Sequence, residues 1–297
     1  MAAFVLFLHF ADNIFVQINN NETLQTRRGA ESRCGVAAAV NSILKRHAPG
    51  LHQLLKSGVQ RTGLPLPKML WGKPVWTHVQ LWNRVVWGDS VLRWITECLK
   101  PGDVFFDVGA HHGWMSMVAA RRIGSNGRVV AFEPSPLSVD FLRYHKRVNR
   151  LTQMEIVPKA VTRDDAVTTP FILIGNGDAV MNSLVEIEEV KSDPRGSNPI
   201  QVEAITLDSY TQQTGLVPTM IKIDTEGAEL WVCEGAKRLL AENHPALIIA
   251  THPTWLPKGQ KIEDLFALLT SYGYRIVASE IFRYKNTDFG DYLCVVE

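Results

Sequence analysis

Cysteine is scarce in this sequence. The four present, Cys34, Cys98, Cys233 and Cys294, lie far apart in a chain of 297 residues. No Cys-x-x-Cys pair exists, which argues against zinc-finger and dithiol redox chemistry. Reduced thiols in a cytoplasmic protein are the expectation. An excess of either charge is lacking too. The 31 Lys and Arg stand against 30 Asp and Glu, for a net charge of +1, so no global field draws the chain onto nucleic acid or an anionic membrane. The densest basic run, Arg143 to Arg147 with Arg150, reads as a solvated helix face. No apolar run reaches the roughly 20 residues that span a bilayer. Residues 2–10 (AAFVLFLHF) come nearest, but His9 and Asp12 interrupt them, no Lys or Arg precedes them and no small-residue cleavage site follows. They read as a buried strand or helix, and the Asn21-Glu22-Thr23 sequon matters only in a secreted chain. Internal repeats and low-complexity tracts are absent as well.

What is present suits a folded enzyme-sized chain. A hydrophobic share of 46% is enough to bury a core and too high for general disorder. Residues 1–60 look accessory, with a helix expected at 30–47 before Pro49-Gly50. In residues 61–87, Pro65, Pro67 and Pro74 are expected to break regular structure while Trp71, Trp76, Trp82 and Trp87 crowd in. From residue 90 on, strand and helix signals alternate. Strands are expected at 103–108, 127–132, 154–157, 220–223, 246–250, 275–279 and 292–296. Helices are expected at 90–99, 114–122, 136–149, 230–241 and 262–272. Short apolar strands alternating with amphipathic helices predict an α/β fold whose parallel sheet is covered on both faces. Ligands then bind at the carboxyl ends of the strands.

The first chemical constellation is Asp107-Val108-Gly109-Ala110-His111-His112-Gly113, after a strand and at a helix start. A dinucleotide turn wants glycine at positions one, three and six. Here His111 takes the third position and Gly113 falls at the fifth. That spacing disfavours a pyrophosphate, and with it an NAD-dependent oxidoreductase. Gly109 allows a tight turn and close approach of backbone to a ligand. Gly113 lets the helix start close to the strand, and the free N–H groups there face the ligand. The Asp107 carboxylate suits a ligand ammonium group. Glu133, followed by Pro134 at the end of the second strand, can accept both hydroxyls of a ribose. Residues 222–229, KIDTEGAE, put a Lys and three carboxylates at another strand end. Glu226 and Glu229 can be read as a helix cap. Asp224, still on the strand, is harder to explain that way.

The first turn resembles motif I of class I methyltransferases, whose ligand carries an amino-acid tail in place of phosphates. The ordered set DVGAHHG, AFEP, NSL at 182–184, ITLDSY at 205–210 and KIDTEGAE resembles the FkbM family of S-adenosylmethionine-dependent methyltransferases. The resemblance implies a Rossmann-like, seven-stranded, mostly parallel sheet closed by an antiparallel hairpin. It assigns residues 88–297 to the FkbM-type domain and leaves residues 1–87 as a helical, Trp-rich accessory region or lid. It implies S-adenosylmethionine as cofactor and an oxygen on a small molecule or carbohydrate as acceptor. Asp107, Gly109, Ala110, His111 and Gly113 would form the methionine side. Glu133 and Pro134 would hold the ribose, and Ala160 and Val161 would flank the adenine. Ser183 and Asp224 would line the floor near the sulfonium, with Glu226 close by. Two departures stand out: His111-His112 where the family commonly has Asn-Ile, and Thr251-His252 where an acidic residue is more usual.

Methylating a hydroxyl needs alignment and removal of its proton. Asp224 is expected near the reacting centre. The base is left among His111, His112, His252 and Glu226, with His252 first in order because it precedes Pro253 at a strand end. A metal-assisted version through Asp224, Glu226 and His252 lacks any spaced ligand signature, so no metal is expected. The alternative outside catalysis is an inactive cofactor-binding module that acts by interaction. Acceptor walls are expected in residues 63–87 and 175–199.

Overall fold

The computed structural model describes residues 65–70, 73–78, 81, 88–175, 177, 182–185, 192–284 and 286–296. The chain divides into two compact units, Met1–Asn83 and Arg84–Glu297. In the first, β1 (Pro65–Leu70) and β2 (Lys73–His78) form an antiparallel hairpin running from Pro65↔His78 to Leu70↔Lys73. The expectation that the prolines break regular structure is therefore corrected. Among the described residues each strand of this ribbon has an open edge, where a residue without an N–H costs no ladder bond. The helix expected at 30–47, the apolar residues 2–10, the sequon and Trp71, Trp82 and Trp87 lie outside the described residues.

The second unit runs α1 (Asp89–Cys98), β3 (Val104–Val108), α2 (Trp114–Ile123), β4 (Arg128–Phe132), α3 (Pro136–Val148), β5 (Met154–Val157), β6 (Ala160–Val161), β7 (Thr169–Ile174), β8 (Ser197–Val202), β9 (Ala204–Ile205), α4 (Leu207–Thr214), β10 (Met220–Ile223), α5 (Glu229–Glu234), α6 (Lys237–Asn243), β11 (Ala246–Thr251), α7 (Ile262–Ser271), β12 (Tyr274–Tyr284) and β13 (Thr287–Val296). Seven strands make one sheet in the order β12-β13-β11-β10-β3-β4-β5. Every pairing is parallel except those of β13, which runs antiparallel to both neighbours. This is the expected seven-stranded, mostly parallel Rossmann-like sheet. The chain moves outward from β3 through β4 to β5, then returns to β10 on the other side of β3. The strand order thus reverses between β3 and β10, and a ligand crevice belongs at their carboxyl ends.

The side-chain alternation of the strands sorts the core onto two faces. Phe106, Val108, Val130, Phe132, Ile221, Ile223, Leu247 and Ile249 join one apolar cluster with residues of α4, α5, α6 and α7. Tyr210 of α4 meets the rings of Phe106 and Phe132 edge-on at 5.5 and 4.9 Å. The opposite parity includes Asp107 and Lys222, which pair across β3 and β10. α3 begins with Pro136 after Ser135 and carries His145, Lys146 and Arg147 in its last turn, where cations suit the helix dipole. Arg143 and Arg147 are exposed there as expected, but His145 is fully buried, its Nδ1 donating to the carbonyl of His112 at 2.7 Å.

Other differences have local causes. The helix expected at 230–241 is two, α5 and α6, broken around Gly235. A Cβ there would meet the carbonyl oxygen of Thr162 at 2.1 Å, so the chain passes too close for a side chain. The antiparallel ribbon of β7 and β8 was not expected, because Pro170 and Pro199 mask its alternation. Among the described residues no helix is long and apolar enough to cross a membrane.

Candidate active site

The turn after β3 is built around close backbone contacts. Gly109 N and Ala110 N both donate to the carbonyl of Phe132, at 3.1 and 3.0 Å. Gly109 has φ +76°, and a Cβ there would lie 1.9 Å from the carbonyl oxygen of Asp224. The glycine is thus required by the end of β10 itself. Gly113, with φ +82°, caps α2, and its Cβ would lie 2.5 Å from Leu142 on α3. The crowding at that position comes from a neighbouring helix and not from the strand. His111 sits at φ +49° and stacks on His112 with ring centroids 3.6 Å apart. Its N–H donates to Glu133 Oε2 at 2.7 Å, while Ser135 N donates to Oε1 at 2.8 Å. Glu133 is nearly buried, and desolvation pushes its carboxyl up to about 7 against the pull of those two N–H donors.

Lys222 is the hub that sequence reasoning gave no role. Its Nζ donates to the carbonyl of Gly109 at 3.0 Å and lies 3.2 Å from Asp224 Oδ2 and 3.5 Å from Asp107 Oδ1. Burial works against the ammonium, but Asp224 and Asp107 outweigh it and hold its pKa above the ordinary lysine value. Asp107 has no accessible surface, and Ser116 Oγ donates to its Oδ2. Its carboxylate therefore faces Lys222 and Ser116 from inside the fold. It does not line the cleft. The available signal was a lysine in the otherwise apolar strand MIKI, since a buried lysine requires an anionic partner.

Beside this hub stands a second cluster. Glu229, fully buried at the start of α5, accepts through Oε1 from Thr225 N and Gly227 N, both at 3.1 Å, and pairs with His252 Nδ1 at 2.9 Å. The other ring nitrogen, Nε2, lies 3.3 Å from Glu226 Oε2 and 3.7 Å from Asp224 Oδ1. The ring lies flat on Trp255, centroids 5.0 Å apart at 8°, and edge-on to Phe289. Burial lowers the His252 pKa, but Glu226, Glu229 and Asp224 reverse that and the net direction is up. Glu226 also moves up, from burial and then from the charges of Asp224 and Glu229. Asp224 moves down, because Lys222 and then His252 outweigh its burial. Glu226 itself has φ +55°, a strained value for a residue with a side chain. Asp224, Glu226 and His252 thus come together as three ligand-type side chains, their donor atoms within 4.8 Å of one another.

An open cleft enclosing about 670 Å³ meets both clusters. Of the residues expected to contact the cofactor, Gly109, His111, Glu133, Pro134, Ala160, Val161 and Asp224 line it, with Glu226 beside them. Asp107, Ala110 and Gly113 lie behind this lining. Ser183 is buried, its Oγ donating to the carbonyl of Glu226 at 2.8 Å, so it props the loop that carries that side chain. Its neighbours Asn182 and Leu184 reach the cleft, as do Lys159, Phe171 and Thr225. The lining is chemically divided. Phe132, Ala160, Val161, Phe171 and Leu184 are apolar, while Glu133, Asp224 and Glu226 are acidic. That donor set fits a cationic nucleoside, with an apolar wall for a base and carboxylates for hydroxyls and positive charge.

Residues 107–276, more than half of the chain, match the Methyltransferase FkbM domain. The chain belongs to the FkbM methyltransferase family. It is an S-adenosylmethionine-dependent methyltransferase, and S-adenosylmethionine is its cofactor. No curated protein matches the sequence. Among solved structures, the FkbM domain is similar to the methyltransferase FkbM of Methylobacillus flagellatus KT, at 16% identity and a TM-score of 0.43 over 66% of this chain and 44% of that one. The chain therefore spans less than half the length of that relative. It is also similar to TYW2 of P. horikoshii in complex with MeSAdo, at 13% identity and a TM-score of 0.44 over 78% of this chain and 71% of the other. A third is the magnesium protoporphyrin IX methyltransferase of Synechocystis PCC 6803 with bound SAM, at 13% identity and a TM-score of 0.42 over 70% and 77%.

Proposed function

We propose that this methyltransferase transfers its methyl group to a hydroxyl oxygen on a small molecule or carbohydrate. The observation that carries the reading is the cluster of Asp224, Glu226 and His252 at the wall of the cleft. A hydroxyl must lose its proton as it becomes an ether, and groups that accept protons beside the cofactor cleft suit that need. S-adenosylmethionine supplies an activated methyl group on a cationic sulfur.

The roles of the residues follow from their surroundings. Glu133, already held by two backbone N–H groups, offers its remaining lone pairs to ribose hydroxyls. Ala160 and Val161, both buried at the cleft wall, flank the adenine. Lys222 fixes one oxygen of Asp224 and leaves the other turned toward His252. Asp224 then sets a negative field beside the reacting centre. Glu229 and Trp255 hold the His252 ring so that its second nitrogen points at Asp224 and Glu226, at the wall of the cleft where the acceptor hydroxyl loses its proton. Residues 88–297 are taken as the FkbM-type domain and residues 1–87 as an accessory region.

The test is methyl transfer from labelled cofactor to a panel of sugars, phenols and aliphatic alcohols, with the product linkage read by mass spectrometry and NMR. The expected result is an O-linked methyl group. Asp224→Asn should lower turnover by roughly 10²–10⁴-fold while still binding S-adenosylhomocysteine. Methylation on nitrogen or carbon, or an Asp224→Asn protein with normal turnover, would sink the assignment. Saturable cofactor binding with no transfer to any acceptor would favour an inactive binding module.

A further inference from the structure

We propose that Asp224, Glu226 and His252 form a binding site for a divalent cation that prefers oxygen and imidazole ligands, such as Mn²⁺. Three observations carry it. First, the three donor atoms converge. The contact of 3.3 Å from His252 Nε2 to Glu226 Oε2 lies within what a small ion needs, and the 3.7 Å contact to Asp224 Oδ1 lies about 0.2 Å beyond it. Bonds of about 2.1–2.2 Å place neighbouring ligand atoms roughly 3.0–3.5 Å apart.

Second, the cluster is incomplete without something between its members. Glu226 Oε2 is buried and accepts no hydrogen bond, although the His252 ring nitrogen stands 3.3 Å away. A buried, unsatisfied carboxylate oxygen in a native fold calls for a bound water or ion. His252, with its side chain about nine-tenths buried, aims Nε2 at that oxygen and at Asp224. Its Nδ1 is held by Glu229, which fixes the N–H on that side and leaves the Nε2 lone pair directed into the cluster. A carboxylate behind the far nitrogen of an imidazole is the arrangement that orients metal-ligating histidines. Trp255 and Phe289 pack the ring so that it cannot turn away.

Third, the charge is unbalanced. Asp107, Asp224, Glu226 and Glu229 share one lysine, Lys222, and that lysine sits on Asp224 Oδ2 and on Asp107. The oxygen it leaves, Asp224 Oδ1, is the one turned toward His252. A cation here offsets the remaining carboxylates at low cost in repulsion. Because Asp224 and Glu226 line the cleft, open positions on the ion face the space in which an acceptor lies. An acceptor hydroxyl on such an ion would release its proton to water more easily; this use of the site rests on the O-methylation reading, while the site itself does not.

The experiment is a titration of the full chain with Mn²⁺, following free ion by electron paramagnetic resonance, with S-adenosylhomocysteine binding measured on the same samples. One saturable site is expected. Glu226→Gln and His252→Asn should each weaken it at least tenfold while cofactor binding persists, and Glu280→Gln, an exposed carboxylate on β12, should leave it unchanged. In the wild type, echo-envelope modulation should show a nitrogen coupled to bound Mn²⁺, a readout that needs no variant to fold. No saturable binding, no nitrogen coupling, or equal binding by folded Glu226→Gln and His252→Asn proteins would overturn the site. A chain that transfers methyl groups to hydroxyls yet binds no Mn²⁺ rejects the ion and keeps the O-methylation reading. A chain that binds Mn²⁺ at these residues but methylates no hydroxyl does the reverse.

Discussion

Binding of S-adenosylhomocysteine should tighten as pH rises from 6 to 8, and Glu133 should be the reason. Burial pushes this carboxyl from the ordinary 4.5 up to about 7. The folded chain therefore keeps the proton to higher pH than the unfolded chain. The stabilising effect of that proton is lost as pH climbs from about 4.5 through 7. A ribose that donates hydrogen bonds to the carboxylate prefers the charged form. With a midpoint near 7, roughly one molecule in ten is charged at pH 6 and nine in ten at pH 8. Affinity should then rise about tenfold across that span, or about 1.4 kcal/mol. Calorimetry in two buffers of different ionisation enthalpy would count the proton released on binding. Glu133→Gln should bind more weakly at pH 8 by about 1.5–3 kcal/mol, with the Glu133 share of the pH slope gone. Affinity that does not change with pH in the wild type, or an unchanged slope in Glu133→Gln, would refute the reasoning.

Two further substitutions test the scaffold. Lys222→Met keeps the stem but leaves Asp107 buried without its cation, at a cost of about 3–5 kcal/mol. The Tm should fall by about 6–20 °C for a unit of this size, and adding Asp107→Asn should recover a large part; a loss under about 1 kcal/mol would show that the hub is not an ion pair of consequence. Gly109→Ala drives a methyl group into the carbonyl of Asp224 at a positive φ. Overpacking and backbone strain together should cost about 2–5 kcal/mol, read by chemical denaturation, and cofactor binding should fall with it; unaltered binding would mean that the turn has room to yield.

Much of the fold was legible because its strands are short, apolar and buried on both faces. Met154–Val157 and Met220–Ile223 coincide with their expected bounds, since turn residues bracket each run. The β7–β8 ribbon was not legible, because β8 is mostly exposed and carries little apolar alternation, and each of the two strands contains a proline. β12 and β13 run beyond their expected limits because their far ends pair mainly with each other, where polar residues are tolerated. In the site, Asp224 and Glu226 stood out because Asp224 directly follows the strand end and only Thr225 separates it from Glu226. His252 joins them only through the parallel register that sets Ile223 opposite Ile249. The Lys222–Asp107 contact depends on the same kind of register, which no local pattern encodes. Glu229 read as a helix-dipole residue; its hold on His252 is a tertiary contact between α5 and the end of β11.

The antiparallel β13 also governs the order in which the sheet can be completed. Among the described residues, β12 meets the sheet only through β13, which lies between it and β11. β12 nevertheless leaves the ribosome first. For the time needed to make β13, it has no partner, and β11 presents an open edge. Two exposed strand edges in a nascent chain invite mispairing and aggregation. The last strand therefore acts as a closing step: the parallel strands can assemble during synthesis, but the edge beside Thr251 and His252 becomes native only when β13 arrives. A ligand that binds the finished cleft would selectively favour chains that have passed that step.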